Sequence, residues 1–371
     1  MEYWHLPGPT AFAGALADAV ADGRNVVIAC PAGIASALAR MVRDQRWDLA
    51  LSPRDWVATC DAPIAQIFEA LDIHPVPDSP SVGALVTLIA SERKGRPVIV
   101  SEVGLEEAAA WVKFISAYEG ACRSVSKFDR APVIIIAGGV PTRLLPVRAA
   151  ALDILLWDGW VGEADILGYI GQYWRREGRG MDPLGRLCAR IITRLALWDF
   201  DLVDRLLRLE PRRLFEPVPV LVDMAMEQGG QLGRTWETGG IGHFDGDQMV
   251  HSLVLAAEGD PAGELLMRLW AAQAAELLPV LEIRRRALVA RMKSTRQHAQ
   301  RMILNNAPVT DLDEVELGGL AYLARTHAFP QPIQSETERL RWLRNRLSHL
   351  KPVTVDDARM VLHTPDGRGN R

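Results

Sequence analysis

Near its end the chain reads "RLRWLRNRLSHLKPV", which places Arg344, Asn345 and His349 within six positions. Histidine exchanges protons near neutrality, whereas arginine keeps its charge and grips phosphate in a planar fork. Asn345 could orient either a phosphate or the imidazole. On an ideal helix, residues five apart differ by about 140° in direction. Arg344 and His349 therefore converge only near a helix end or across two copies of the chain. Pro352 disfavours helical geometry at Lys351, so the helix is expected to stop close to His349.

R-N-x3-H is a form of the R-x4-6-H motif, and the region carrying it, about residues 248–362, is similar to HEPN domains. Its surroundings agree: a long helical pattern with "LWAAQAAELLPVLEIRRRALVARM", then "VELGGLAYL", then the motif helix. The resemblance implies a small helical bundle and, in many members, metal-independent ribonuclease activity with Arg344, Asn345 and His349 at the site. Such chemistry needs a group to take the 2′-hydroxyl proton and a cation to stabilise charge on the phosphorane. The resemblance also implies a homodimer or paired HEPN surface, since such sites are commonly built from two motif helices. Many HEPN-like domains instead only dimerise or dock partners.

A second hint lies on the long helix. Arg284, Arg285, Arg286, Arg291, Lys293, Arg296 and Arg301 run without an intervening Asp or Glu, a local charge of +7 in a chain of net charge -4. Single-sign stripes attract phosphate backbones, and Arg339, Arg341 and Arg346 extend the basic character along the motif helix. RNA is the expected partner. The ordinary alternative is a face paired with Asp311, Asp313, Glu314 and Glu316, which follow soon after.

The other candidate is "NVVIACPAGIASALARMVRD", an apolar run, a Pro/Gly turn and a helix. A phosphate-binding loop needs glycines that turn backbone N–H groups toward phosphate, a lysine, and a hydroxyl for Mg²⁺. Set against "GPPGTGKT", "CPAGIASA" keeps Pro31 and Gly33 but has Ala35, Ser36 and Ala37 where Gly, Lys and Thr belong. A second strand, "VIVSEV", offers Ser101 and Glu102 in place of Asp-Glu, and a third ends "IIIAGG" with an apolar Ala137. This third of the chain resembles an AAA or STAND-type core that has lost hydrolysis, with Pro31, Gly33, Ser36 and Glu102 as vestiges. An α/β scaffold that never bound nucleotide fits the same residues. Neither reading gives an ATPase, and no cofactor is expected.

The elements that must position these residues follow from periodicity. Strands at "NVVIA", "RPVIVSEVG" and "APVIIIAGGVP", separated by helices, are the pattern of an α/β domain with a mostly parallel sheet. We place this P-loop NTPase-like but degenerate domain at 1–142. Leu, Ala, Arg and Trp at helical spacing then give a helical middle region. It ends in "EQGGQLGRTWETGGIGHFDGD", whose seven glycines read as a linker, so the middle spans 143–247. Residues 248–371 are expected to form the HEPN-like bundle, with an Asp cap before "VELGG" and a capping box at Ser335 and Glu338.

Composition excludes several classes. Nearly half of the 371 residues are hydrophobic, which suits globular domains, but no run approaches the ~18 apolar residues of a membrane span. Cys30, Cys60, Cys122 and Cys188 are far apart without CxxC spacing, as expected of reduced thiols in the cytoplasm. No metal site is expected: His243 beside Asp245 and Asp247 reads as part of the linker, and Trp270 as core packing. Two functions stand. One is a bacterial conflict or anti-phage protein with an inactive nucleotide module and a HEPN ribonuclease or toxin domain; the other is a scaffold that docks a true ATPase or effector.

Overall fold

A computed structural model describes residues 3–44, 63–70, 81–93, 97–229, 232–295, 303–304 and 307–363. The chain divides into two compact units, Met1–Asp165 with Ala225–Val254, and Ile166–Met224 with Leu255–Arg371.

The first unit opens with α1 (Pro7–Ala21), β1 (Asn25–Cys30), α2 (Ala35–Asp44), α3 (Pro63–Ala70) and α4 (Val82–Arg93). It continues through β2 (Val98–Val103), α5 (Leu105–Cys122), β3 (Val133–Gly138) and β4 (Leu152–Leu156). The four strands form a parallel sheet in the order β2-β3-β1-β4. Because side chains alternate along a strand, Val27, Val133 and Ile135 share one face, where they pack with Trp111, Phe114 and Ile115 of α5. Val26, Ile28, Ile134 and Ile136 take the other face and are also buried. Burial on both faces explains why these strands read as continuous apolar runs. Asn25 and Ser101 are buried polar exceptions, and the Asn25 side-chain carbonyl accepts the Val133 N–H at 2.9 Å.

The sheet reaches further than residue 142. β4 lies where the sequence reads as helical, because Asp153 interrupts a run of only five residues. Its charge is met by Arg24 at 2.8 Å and Arg148 at 3.2 Å. β4 is also an edge strand whose outer carbonyls are covered: Arg148 donates to Ile154 O at 3.3 Å, and the Trp160 indole to Leu156 O at 2.8 Å. Such caps discourage pairing with another chain.

Then come α6 (Glu163–Arg176), α7 (Pro183–Ala196), α8 (Phe200–Leu207), α9 (Pro211–Leu214) and α10 (Pro217–Glu227). The glycine-rich stretch after α10 is not a linker. It contains a hairpin of β5 (Ile241–Phe244) and β6 (Asp247–Val250) that belongs to the first unit. Asp245 at φ 52° and Gly246 at φ 90° make its two-residue turn, the left-handed pair such hairpins require.

The remaining elements are α11 (Ser252–Ala257), α12 (Glu264–Thr295), the two-residue strands β7 (Ile303–Leu304) and β8 (Ala307–Pro308), α13 (Leu317–Thr326), α14 (Gln331–Ser348) and α15 (Val355–Leu362). In the second unit α12 packs against α7, α14 and α15, and α13 packs on α14. Leu269, Leu277, Leu281 and Leu288 of α12, Ile191 and Leu195 of α7, and Leu340, Leu343 and Leu347 of α14 are buried. The middle helices α7–α9 thus join the C-terminal bundle instead of forming a region of their own. Helix starts differ from expectation too. α14 begins at Gln331 after Pro330, so Ser335 and Glu338 lie inside it and form no capping box. Asp311 caps only a single 3-10 turn, Leu312–Glu314.

No helix among the described residues is long and apolar enough to cross a membrane. Cys30, Cys122 and Cys188 are buried and unbridged; burial pushes their thiols up to about 12, 11 and 11. Cys60 lies outside the described residues.

Candidate functional site

α14 runs unbroken through Arg344 and Asn345 to Ser348, and His349 is its C-cap. The His349 N–H still bonds to Asn345 O at 3.0 Å. Leu350 then turns left-handed at φ 56°, its N–H reaching Leu347 O at 3.2 Å, while Lys351 N–H returns to Arg346 O at 3.0 Å. This reciprocal pair is a Schellman stop. The helix ends where expected, but Leu350, rather than Pro352, turns the chain.

Three side chains fasten the segment after the stop. The Trp270 indole donates to Leu347 O at 2.7 Å. Gln273, fully buried, donates to Val353 O at 3.0 Å and accepts Val353 N–H at 2.7 Å. Arg346 donates twice to Pro352 O, at 3.0 and 2.7 Å, and its guanidinium lies 5.4 Å from the Trp342 ring centroid. None of these roles was legible beforehand. Trp270 read as packing, and Gln273 gives no signal within a long helix.

Asn345 and His349 are exposed on this fixed support. Arg344 is half-exposed and pairs with Glu316 on a 3.0 Å contact, its second Nη 3.5 Å from Asn345 Oδ1. Exposed pairs of this kind contribute about 0–1 kcal/mol, so the guanidinium can exchange Glu316 for a phosphate. Among the described residues no hydrogen bond joins Arg344 to His349. Within one chain the cation and the imidazole are neighbours on a helix end, not a closed pair.

The expected basic stripe is largely engaged inside the molecule. Arg284 donates to Val361 O at 2.9 Å and also to His363 O. Arg285 binds Glu282 and donates to Asp313 O at 2.8 Å. Arg286 shares Glu282, Arg291 pairs with Glu336, and Lys293 pairs with Asp311 at 3.1 Å and Asp313 at 2.5 Å. Arg341 pairs with Glu338 at 2.7 Å. Glu282 of α12 itself and acidic residues from other elements thus meet a run that is single-signed only between Arg284 and Arg301. Arg296, Arg301 and His298 lie outside the described residues. Sequence reading passed over Arg175, Arg176, Arg179 and Arg186 at the α6–α7 turn. All four are exposed, and their side chains make no ion pair among the described residues.

At the other candidate, β1 ends at Cys30, a 3-10 turn spans Ala32–Ile34, and α2 follows. The Ala32 N–H, one of the amides a phosphate loop would turn toward its ligand, donates instead to Glu237 O at 3.0 Å. Gly33 has open space beside it. Ala35 and Ser36 open α2 with no cation among them. Glu102 falls at the register shift of β2 between Val100 and Val103; its side chain lies outside what is described.

His243 is ordered within β5. Asp158 accepts both its backbone N–H at 2.7 Å and its ring Nδ1 at 2.7 Å. His251 is buried and accepts the Leu253 N–H at 3.2 Å. Among the described residues no group of three or more His, Cys, Asp or Glu is placed to hold a metal ion.

No known family profile matches the chain, and neither does any curated protein. Among solved structures, the chain is similar to a STAND protein. That protein, from Pyrococcus horikoshii, is a signal transduction ATPase with numerous domains and a tetratricopeptide repeat sensor. The similarity is 12% in identity with a TM-score of 0.31, over 76% of this chain and 48% of that one. This chain therefore spans about half of that protein's length.

Proposed function

We propose that the C-terminal helical unit is a HEPN-like module that cleaves RNA without a metal. His349 takes the 2′-hydroxyl proton as that oxygen attacks phosphorus, and Arg344 and Asn345 hold the phosphate. The P–O5′ bond breaks, the 5′-oxygen takes a proton from an imidazolium, and a 2′,3′-cyclic phosphate remains. The observation that carries this reading is the exposed end of α14, held by Trp270, Gln273 and Arg346 with His349 at its cap. Cleavage needs both a base and an acid, and the end of α14 carries one histidine, His349. A second copy of the motif helix supplies the other, which makes a homodimer the working form.

The cations for the RNA backbone are Arg175, Arg176, Arg179 and Arg186, which make no ion pair among the described residues, more than the paired residues of α12. Degrading RNA would arrest growth or block a phage, a conflict or defence role. The α/β unit, without the loop lysine, then acts as a non-hydrolysing regulatory part. The test is incubation of total RNA in EDTA with the wild type, His349→Ala and Arg344→Ala. Cleavage by the wild type that both variants lose supports the reading. Absence of cleavage in all three while the protein is dimeric contradicts it.

The Arg344–Glu316 pair and the engaged α12 cations favour a second reading, a non-catalytic scaffold that docks a partner ATPase or effector. It requires dimers or complexes that leave RNA intact.

A further inference from the structure

In α/β sheets, ligands sit outside the carboxyl ends of the strands, where the strand order reverses. With the order β2-β3-β1-β4, that place lies at the ends of β1 and β3. Here the chain itself lies across it. Glu237 O takes the Ala32 N–H beyond β1 at 3.0 Å. A Cβ on Gly139, just beyond β3, would stand 3.5 Å from the same Glu237 oxygen, and one on Gly239 would stand 3.5 Å from Pro31 Cβ. Further along, Asp158 beyond β4 holds His243 by its N–H and its ring, both at 2.7 Å. Asp245 accepts the Glu163 N–H at 3.0 Å.

The segment is folded on itself. Gly240 N–H and Ile241 N–H both reach Thr235 O, at 2.9 and 3.2 Å. Thr238 Oγ1 donates to Gly233 O at 2.6 Å. Gly240 is required there, since a Cβ would fall 1.9 Å from Gly233 O. Yet none of residues 232–239 is buried. The attachments to the sheet edge are polar, and the segment adds no fully buried apolar side chain before Phe244. Regions with few buried apolar contacts open at a small fraction of the global unfolding free energy.

We propose that residues 233–243 are a removable strap that opens as one piece from the buried Phe244, freeing the Ala32 amide and uncovering the crevice at the ends of β1 and β3. In the closed form a main-chain carbonyl occupies the loop amide, so the closed unit presents no complete phosphate cradle. The proposal does not depend on the chemistry assigned to α14.

Residue-resolved hydrogen exchange on the full chain tests it, with the wild type, His243→Ala and Thr238→Val. Thr238→Val touches neither β1 nor β4 and loses only hydroxyl bonds inside the strap, to Gly233 O, Thr235 O and Thr235 Oγ1. The amides of Ala32, Gly239, Gly240, Ile241 and His243 should share one low sensitivity to urea in the wild type. They should exchange at least tenfold faster together in both variants, while Ile28 and Ile135 keep their protection. Ala32 exchanging with the sheet amides, or staying unchanged when the strap amides speed up, would overturn the proposal. So would a rise of strap and sheet amides together in the wild type at low urea, because the strap would then open only when the unit unfolds.

Discussion

The turn after β1 and the end of α14 are opposite cases of a site. At the turn, a strand, a 3-10 turn and a helix follow one another in the order a phosphate loop needs, but Ser36 stands in the lysine position and Glu237 O takes the Ala32 N–H. At the end of α14, three reactive side chain types face solvent, and the polar groups behind them are satisfied by Trp270, Gln273 and Arg346. The contrast separates two requirements of a working site. Backbone geometry alone does not make a site, whereas at the end of α14 the Gln273 carboxamide satisfies the buried Val353 amide and carbonyl and so fixes the chain just beyond His349.

Four substitutions test the difference between the two regions. The largest effect is expected at Gln273→Leu, which leaves the Val353 N–H and C=O unpartnered in the interior. A loss of about 2 to 5 kcal/mol is expected, read by urea unfolding, and RNA cleavage should fall with it. A loss below ~1 kcal/mol would mean that the support is not specific. Glu316→Gln should act the other way, releasing Arg344 and raising RNA cleavage by roughly two- to fivefold, measured at low salt. A decrease would show that Glu316 positions the guanidinium instead of competing for it. Leu350→Gly should stabilise the chain by about 0.5 to 1 kcal/mol, since φ 56° is strained for leucine and free for glycine. The smallest effect is at the other region: Ser36→Lys restores the missing charge but not the Ala32 amide, so no ATP turnover is expected. Turnover above background would break the contrast.

Much of the first unit was legible in sequence because its inner strands are buried on both faces, and "NVVIA" and "APVIIIAGG" advertise that directly. β4 was not, since one acidic residue in five conceals a strand until Arg24 and Arg148 neutralise it. The hairpin was missed for another reason: seven glycines suggested a linker, although Asp245-Gly246 between Phe244 and Asp247 is a two-residue turn signal. In the second unit the helices and the stop near His349 followed from periodicity and Pro352. Long-range pairing followed only in part. Lys293 meets Asp311 and Asp313, the pairing the sequence offered as an alternative, whereas Arg291 meets Glu336 only after a chain reversal that local charge counting cannot see.

The most direct measurement is the end chemistry of the RNA left after incubation in EDTA at neutral pH, comparing an all-ribose strand with one carrying a single 2′-deoxy position. We expect 2′,3′-cyclic phosphate ends from the first and protection at the deoxy position in the second, with no product from His349→Ala. Intact RNA in the presence of dimeric wild type, or cleavage that ignores the missing 2′-hydroxyl, would contradict the assignment of His349.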